Sequence, residues 1–171
     1  MSLSPTLDAL LRTSLDSGIP GVIAMAADDS GVIYEGAAGV RALGHDAAMG
    51  IDTVAWFASM TKAVTAAAAM QLVERGKLDL DQPAARVCPF LADPQVLEGF
   101  DAAGKALLRP ARGTITLRNL LTHTSGFSYE IWNPDAAREL DSRGAGNILT
   151  GNQATLDRPL LHDPDTRWDY S

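Results

Sequence analysis

The stretch "WFASMTKAVTAAAAMQLVERG", Trp56 to Gly76, decides how this chain is read. It sets Ser59 three residues before Lys62 and follows them with a run of alanines. Residues three apart on a helix share a face, so hydroxyl and amine point the same way. Ala63, Val64, Ala66 to Met70, Leu72 and Val73 leave hardly any polar face before Gln71. A helix that is apolar all round belongs inside a core. The pattern therefore predicts a helix from Ser59 to Arg75, closed by Gly76, as the most buried helix of the fold. Lys62 would then sit in a partly dry place. Desolvation disfavours the ammonium, lowering its pKa from about 10.4, and the positive end of the helix dipole acts in the same direction. A neutral amine beside a hydroxyl is a general base beside a nucleophile. The Ser59 backbone N–H, at the helix start, could face an oxyanion. The plainer alternatives are that Ser59 is an N-cap and that Lys62 snorkels to solvent. Ser-x-x-Lys alone arises by chance on the order of once in a few hundred residues.

Around that helix, 171 residues suit one domain, and a chain 46% hydrophobic and 20% charged can build a packed core. A net charge of −7 and scattered lysines and arginines argue against nucleic acid and anionic membrane as partners. The single cysteine, Cys88, excludes an internal disulfide and reads as a small core residue. No apolar run reaches the roughly 20 residues of a membrane span, and the start "MSLSPTLDALLRTSLDSG" lacks the pattern of a secretory signal. A cytoplasmic protein is the expectation.

Local signals place the other elements. Ser4 and Pro5 start a helix with Leu7, Leu10, Leu11 and Leu15 on one face and Gly18 after it. "GVIAMAADDSGVIYEGAAGV" reads as a hairpin turning at Asp28 to Gly31. Asp81 and Pro83 begin a short helix, and residues 89–113 read as loop. Thr116 caps "LRNLLTH", and Asn133-Pro134 starts a helix that runs through Arg143 to Gly144. The segment after Gly151 reads as loop with one helical turn. A division into a helix and hairpin (1–55) and a mainly helical region (56–171) follows.

Three further patterns carry less. "GFDAAGKA" (99–106) nearly matches a phosphate loop, but Ala106 offers no hydroxyl for magnesium and "ADPQVLE" is not a convincing strand. "HTSG" (123–126) sets His123 near Ser125, but adjacent residues rarely form a catalytic pair and there is no Gly-x-Ser-x-Gly elbow. "HDPDTRWD" holds His162, Asp163, Asp165 and Asp169 without regular metal-ligand spacing, and reads as a solvated acidic loop. No metal or cofactor is expected.

Four collinear segments, "FASMTKAVTAAAAMQLVERGKLDLDQP", "ITLRNLLTHTSGF", "YEIWNPDAARE" and "RPLLHDPDTRWDYS", resemble the serine β-lactamase-like hydrolases. Among these the chain is most similar to the family VIII carboxylesterases, which share the fold of class C β-lactamases and D,D-peptidases. The resemblance implies an α/β fold of the α+β type: an antiparallel sheet flanked by helices plus a helical region, incomplete in this chain. It implies Ser59 as acylated nucleophile, Lys62 as its partner, and Tyr170 in "WDYS" as the tyrosine of the second motif. Whether Lys62 or Tyr170 is the main base stays open. A turn glycine common in the family is replaced by Asp165, which can also visit positive φ. Related hydrolases are roughly twice this length. The expectation is an N-terminal half whose C-terminal half, or a complementary polypeptide, supplies further strands, a third motif and a second oxyanion N–H. The implied activity is hydrolysis of a small-molecule carboxylic ester. A β-lactamase, a D,D-peptidase or D-amino-acid amidase, and a non-catalytic scaffold are the alternatives.

Overall fold

The computed structural model describes residues 4–171, which divide into two compact units, one ending at Ala58 and one starting at Ser59. In the first, α1 (Ser4–Leu15) precedes β1 (Gly21–Asp28) and β2 (Gly31–Gly39). The strands pair antiparallel from Gly21 opposite Gly39 to Asp28 opposite Gly31, with a bulge at Ala26/Ala27. The turn closes because the Asp28 carboxylate accepts from the Ser30 N–H at 2.8 Å, an Asx-type local bond. Helix α1 packs on this hairpin. Leu7, Leu11 and Leu15 are half-buried, whereas Leu10, expected on the same face, is exposed. Tyr34 is buried and its hydroxyl donates to Asp8 on α1 at 3.0 Å. Gly39 is required twice over: its φ is 86°, and a Cβ there would lie 2.2 Å from the Pro20 carbonyl.

In the second unit, α2 (Thr61–Glu74) leads to β3 (Gln95–Phe100), β4 (Ala106–Pro110), α3 (Leu117–Thr122) and α4 (Pro134–Ser142), with short 3-10 turns between. Residues 89–113, expected as loop, contain an antiparallel hairpin, Gln95 opposite Pro110 through Phe100 opposite Ala106. Two things hid it. Val96 and Leu97 are adjacent and both buried, and a bulge between Leu97 and Gly99 breaks the alternation that marks a strand. Its turn is "DAAGK", where the Asp101 carboxylate accepts from the N–H groups of Ala103 and Lys105. The near-match to a phosphate loop is therefore a hairpin turn; it opens no helix.

The core of this unit is Ala84, Val96, Ile115 and Leu160, flanked by Leu91, Ala111, Leu120 and Phe127. Leu160 joins β3 as a parallel bridge, giving its N–H to Gln95 at 2.7 Å and its carbonyl to Leu97 at 2.8 Å. The Thr116 cap and Asn133 cap form as the sequence predicts. Thr116 and Asn119 make a reciprocal capping box, and Asn133 accepts from Asp135 and Ala136.

Helix α2 departs from expectation. None of its residues is buried, Val64 is 71% exposed, and no other element packs extensively along it. The apolar surface that predicted deep burial is present, but the described residues supply nothing that covers it. Cys88 is likewise exposed, not a core residue.

Candidate active site

Ser59 lies in a 3-10 turn, Ala58–Met60, that feeds directly into α2. Ala58 has φ 47°, a left-handed conformation that costs a non-glycine residue about 1–2 kcal/mol. The N-cap of α2 is Met60, which makes no side-chain cap, so Ser59 is not serving as one. Lys62 follows in the first turn of α2 and is half-buried.

Tyr170 reaches this turn from the far end of the chain. The Ser59 hydroxyl and the Lys62 ammonium both act on the Tyr170 hydroxyl, lowering its pKa. Lys62 Nζ is 4.8 Å from the centre of the Tyr170 ring. The structure thus brings together Ser59, Lys62 and Tyr170, two of them read from spacing and the third from resemblance.

The loop carrying Tyr170 is anchored to the C-terminal end of α3. His123 caps α3 at φ 59° and its carbonyl accepts from the Asp169 N–H at 2.8 Å. Ser128 donates to the Asp169 carboxylate at 3.0 Å, and Thr124 accepts from the Asp165 N–H at 2.9 Å. Buried Asn119 gives its amide to the Asp165 carboxylate at 2.5 Å. Asp165 itself adopts φ 63°, the conformation a turn glycine would take. The loop read as solvated acid is instead a set of partnered carboxylates, since Asp163 is bound by Arg109 at 2.8 Å. At Gly126, φ 99°, a Cβ would lie 2.3 Å from the His162 carbonyl, so only glycine lets this strap close.

Two residues beside the site gave no sequence signal for it. Tyr129 accepts from Lys62 Nζ at 3.1 Å. His123, read as purely structural, lays its ring 4.5 Å from that of Tyr170. Trp132 completes the cluster, 5.0 Å from Tyr129 and 5.7 Å from Tyr170.

The electrostatics of the lysine and tyrosine run in opposite directions. Burial pushes the Lys62 amine down, but its bonds to Tyr129 and Tyr170 outweigh that and hold its pKa above the usual lysine value. That direction favours the charged form of the amine. Tyr170 moves the other way. The bond from Ser59, then that from Lys62, hold its hydroxyl below the ordinary tyrosine value, against the effect of burial. Burial, and then the Lys62 charge, hold His123 below the usual histidine value. A phenolic oxygen of lowered pKa, bonded to a serine hydroxyl and a fixed cation, can accept the serine proton.

A pocket of about 300 Å3 opens next to Tyr129, walled by Phe90, Leu91, Leu120, Phe127 and Leu156, with Arg158 among its polar groups. Among the described residues, no group of three or more His, Cys, Asp or Glu is placed to hold a metal ion. No described helix is long and apolar enough to cross a membrane.

Comparison with known proteins shows what the chain is similar to. The chain is 40% identical to the acyltransferase mokF of Monascus pilosus over 96% of its own length and 42% of that protein's. It is 38% identical to the lovastatin esterase of Penicillium rubens, over 96% of this chain and 43% of the esterase. Unliganded simvastatin synthase (LovD) of Aspergillus terreus superposes with a TM-score of 0.80 at 39% identity, covering 100% of this chain and 46% of that one. The chain spans less than half the length of each of these proteins. Its helices and antiparallel strands are part of the β-lactamase/transpeptidase-like fold. Since the sequence pattern of the Beta-lactamase family matches residues 7–171, nearly the whole chain, the chain belongs to that family.

Proposed function

We propose that this chain carries the acyl-enzyme machinery of a serine enzyme acting on carboxylic esters. The observation that carries the reading is the Lys62 ammonium set 4.8 Å from the Tyr170 ring and bonded to Tyr129, with Ser59 and Lys62 together lowering the pKa of the Tyr170 hydroxyl. Tyr170 takes the Ser59 proton as Oγ attacks the ester carbonyl carbon. The negative charge that develops on the carbonyl oxygen faces the Ser59 backbone N–H, the first oxyanion donor. Collapse expels the alcohol, which takes its proton from Tyr170, and leaves the acyl group on Ser59. Water then attacks the acyl carbon, gives its proton to Tyr170, and Ser59 recovers its own. Lys62 keeps its charge throughout and stabilises the phenolate form of Tyr170. The raised pKa of Lys62 favours this division of roles over a lysine base.

A second acceptor has support of its own. Relatives at about 40% identity are named acyltransferases, while another is named an esterase. An alcohol in place of water at the second step turns hydrolysis into acyl transfer with the same residues. The part of the family fold outside the matched 42% of such relatives is proposed to cover α2 and to complete the oxyanion site. The substrates are small molecules, and no cofactor takes part in these steps. A cytoplasmic location is proposed on the sequence pattern alone.

The test is to expose the full-length protein to a fluorophosphonate and locate the adduct by mass spectrometry. Label on Ser59, with turnover of short p-nitrophenyl esters and faster release of p-nitrophenol when an alcohol acceptor is added, supports the reading. Label elsewhere, no label, or hydrolysis of nitrocefin without ester turnover would overturn it.

A further inference from the structure

We propose that Tyr129 is a positioning residue of this site: its hydroxyl holds the Lys62 ammonium where it meets the Tyr170 oxygen. The proposal rests on the acyl-enzyme reading above.

The lysine ammonium has three donors and a flexible four-carbon stem, so it goes where acceptors hold it. Tyr129 Oη lies 3.1 Å from Lys62 Nζ, and the ammonium is 5.5 Å from the Tyr129 ring and 4.8 Å from that of Tyr170. The groups that interact with this ammonium are Tyr129, Tyr170 and His123. The cation is therefore held by two phenols. One of them, Tyr170, is also influenced by the Ser59 hydroxyl. The other, Tyr129, is left to fix the lysine.

Tyr129 is also built into place. On one side of it, Ser128 donates to the Asp169 carboxylate and its carbonyl accepts from Arg158 at 2.9 Å. On the other, the Glu130 carboxylate accepts from Arg158 at 3.2 Å and from the Ile148 N–H at 2.9 Å. The Tyr129 carbonyl accepts from the Asn133 N–H at 3.1 Å. Its ring is flanked by Trp132 at 5.0 Å and by Tyr170 at 5.7 Å. Backbone and ring are both constrained, so the hydroxyl is aimed, not free to turn away with the loop. Remove that hydroxyl and burial acts on the lysine opposed by Tyr170 alone. The ammonium loses a charge-assisted bond and titrates at lower pH.

The experiment is the rate of Ser59 labelling by a fluorophosphonate as a function of pH, on the full-length protein with Tyr129→Phe. This substitution keeps the ring. The expected result is labelling about ten- to a hundredfold slower, the scale of one hydrogen bond to a charged group. The alkaline limb of the profile, where Lys62 loses its proton, moves to lower pH. Trp132→Leu serves as the packing control; it slows labelling without moving that limb. A Tyr129→Phe profile and rate within about twofold of the parent would overturn the proposal. So would an equal shift in Trp132→Leu, which assigns the effect to packing, or a Tyr129→Phe chain that does not fold. Absence of label on Ser59 in the parent protein would instead remove the acyl-enzyme reading, and this proposal with it.

Discussion

At the scale of single residues, Tyr170 does the chemistry proposed here only while Lys62 stays charged. The bonds from Ser59 and Lys62 hold the Tyr170 hydroxyl below the usual tyrosine value, so its base form appears at lower pH than in a free tyrosine. Activity of the full-length enzyme should therefore rise with pH through a limb below about 10. In Lys62→Met that limb should move up, because both the bond and the charge that lower Tyr170 are gone. A pH profile of kcat/KM checks this, and an unmoved limb would count against a lysine–tyrosine pair. Ser59→Ala should abolish turnover with the fold intact. Tyr170→Phe should cost several orders of magnitude, since nucleophile and base act as one unit. The pairing of Ser59 with Lys62 was legible because two residues three apart are a local pattern. Tyr129 was not: it is 67 positions from Lys62, and an isolated tyrosine between Ser128 and Glu130 has no spacing to betray it. His123 was legible as a helix end, which it is, but its ring against Tyr170 is a long-range contact that no local rule contains.

At the scale of elements, the loop holding Tyr170 depends on α3, a helix of only six residues. Short helices are marginal by themselves, so the cap decides whether this one forms. The cap was readable from Thr116 alone. The hairpin of β3 and β4 was not, because the bulge at Leu97/Gly99 destroys the period-two signal on which strand reading depends. Burial of α2 was misjudged for a different reason: periodicity reports which faces are apolar, never whether a partner is there to cover them. The cap leads to a graded expectation. Thr116→Ala removes the acceptor for the Asn119 N–H and should cost about 1 kcal/mol. Asn119→Ala should cost more, about 2–3 kcal/mol. Asn119 is buried and bonds Thr116, Thr124 and Asp165 together, so its loss releases the strap as well as the helix. Urea denaturation of both variants measures the difference. Equal costs would show that the link to Asp165 contributes nothing.

At the scale of the whole molecule, an ion pair between distant parts of the sequence ties together the unit that holds the site. Arg109 on β4 grips both oxygens of Asp163 at 2.8 and 2.9 Å, and the Arg112 N–H donates to the same carboxylate at 2.7 Å. Arg109 also meets Glu98 across the hairpin at 3.0 Å. The pair joins the β3–β4 hairpin to the segment that runs on to Tyr170, spanning 54 positions of sequence. The bond from Arg109, then that from Arg112, hold the Asp163 carboxyl at about 2, below the usual 3.8. The sign of the consequence follows from that depression. The unfolded chain takes up a proton at Asp163 near pH 4, while the folded chain resists until about pH 2. The contribution of the pair is therefore complete above about pH 4 and is lost as pH falls toward about 2. In Asp163→Asn the group cannot titrate, so this particular acid sensitivity disappears. Urea midpoints of parent and variant, taken from about pH 5 down to about pH 2, should converge as the pH falls, the parent losing its advantage across that window. Curves that stay parallel from one end to the other would show that Asp163 is not the carboxylate that secures the segment leading to Tyr170.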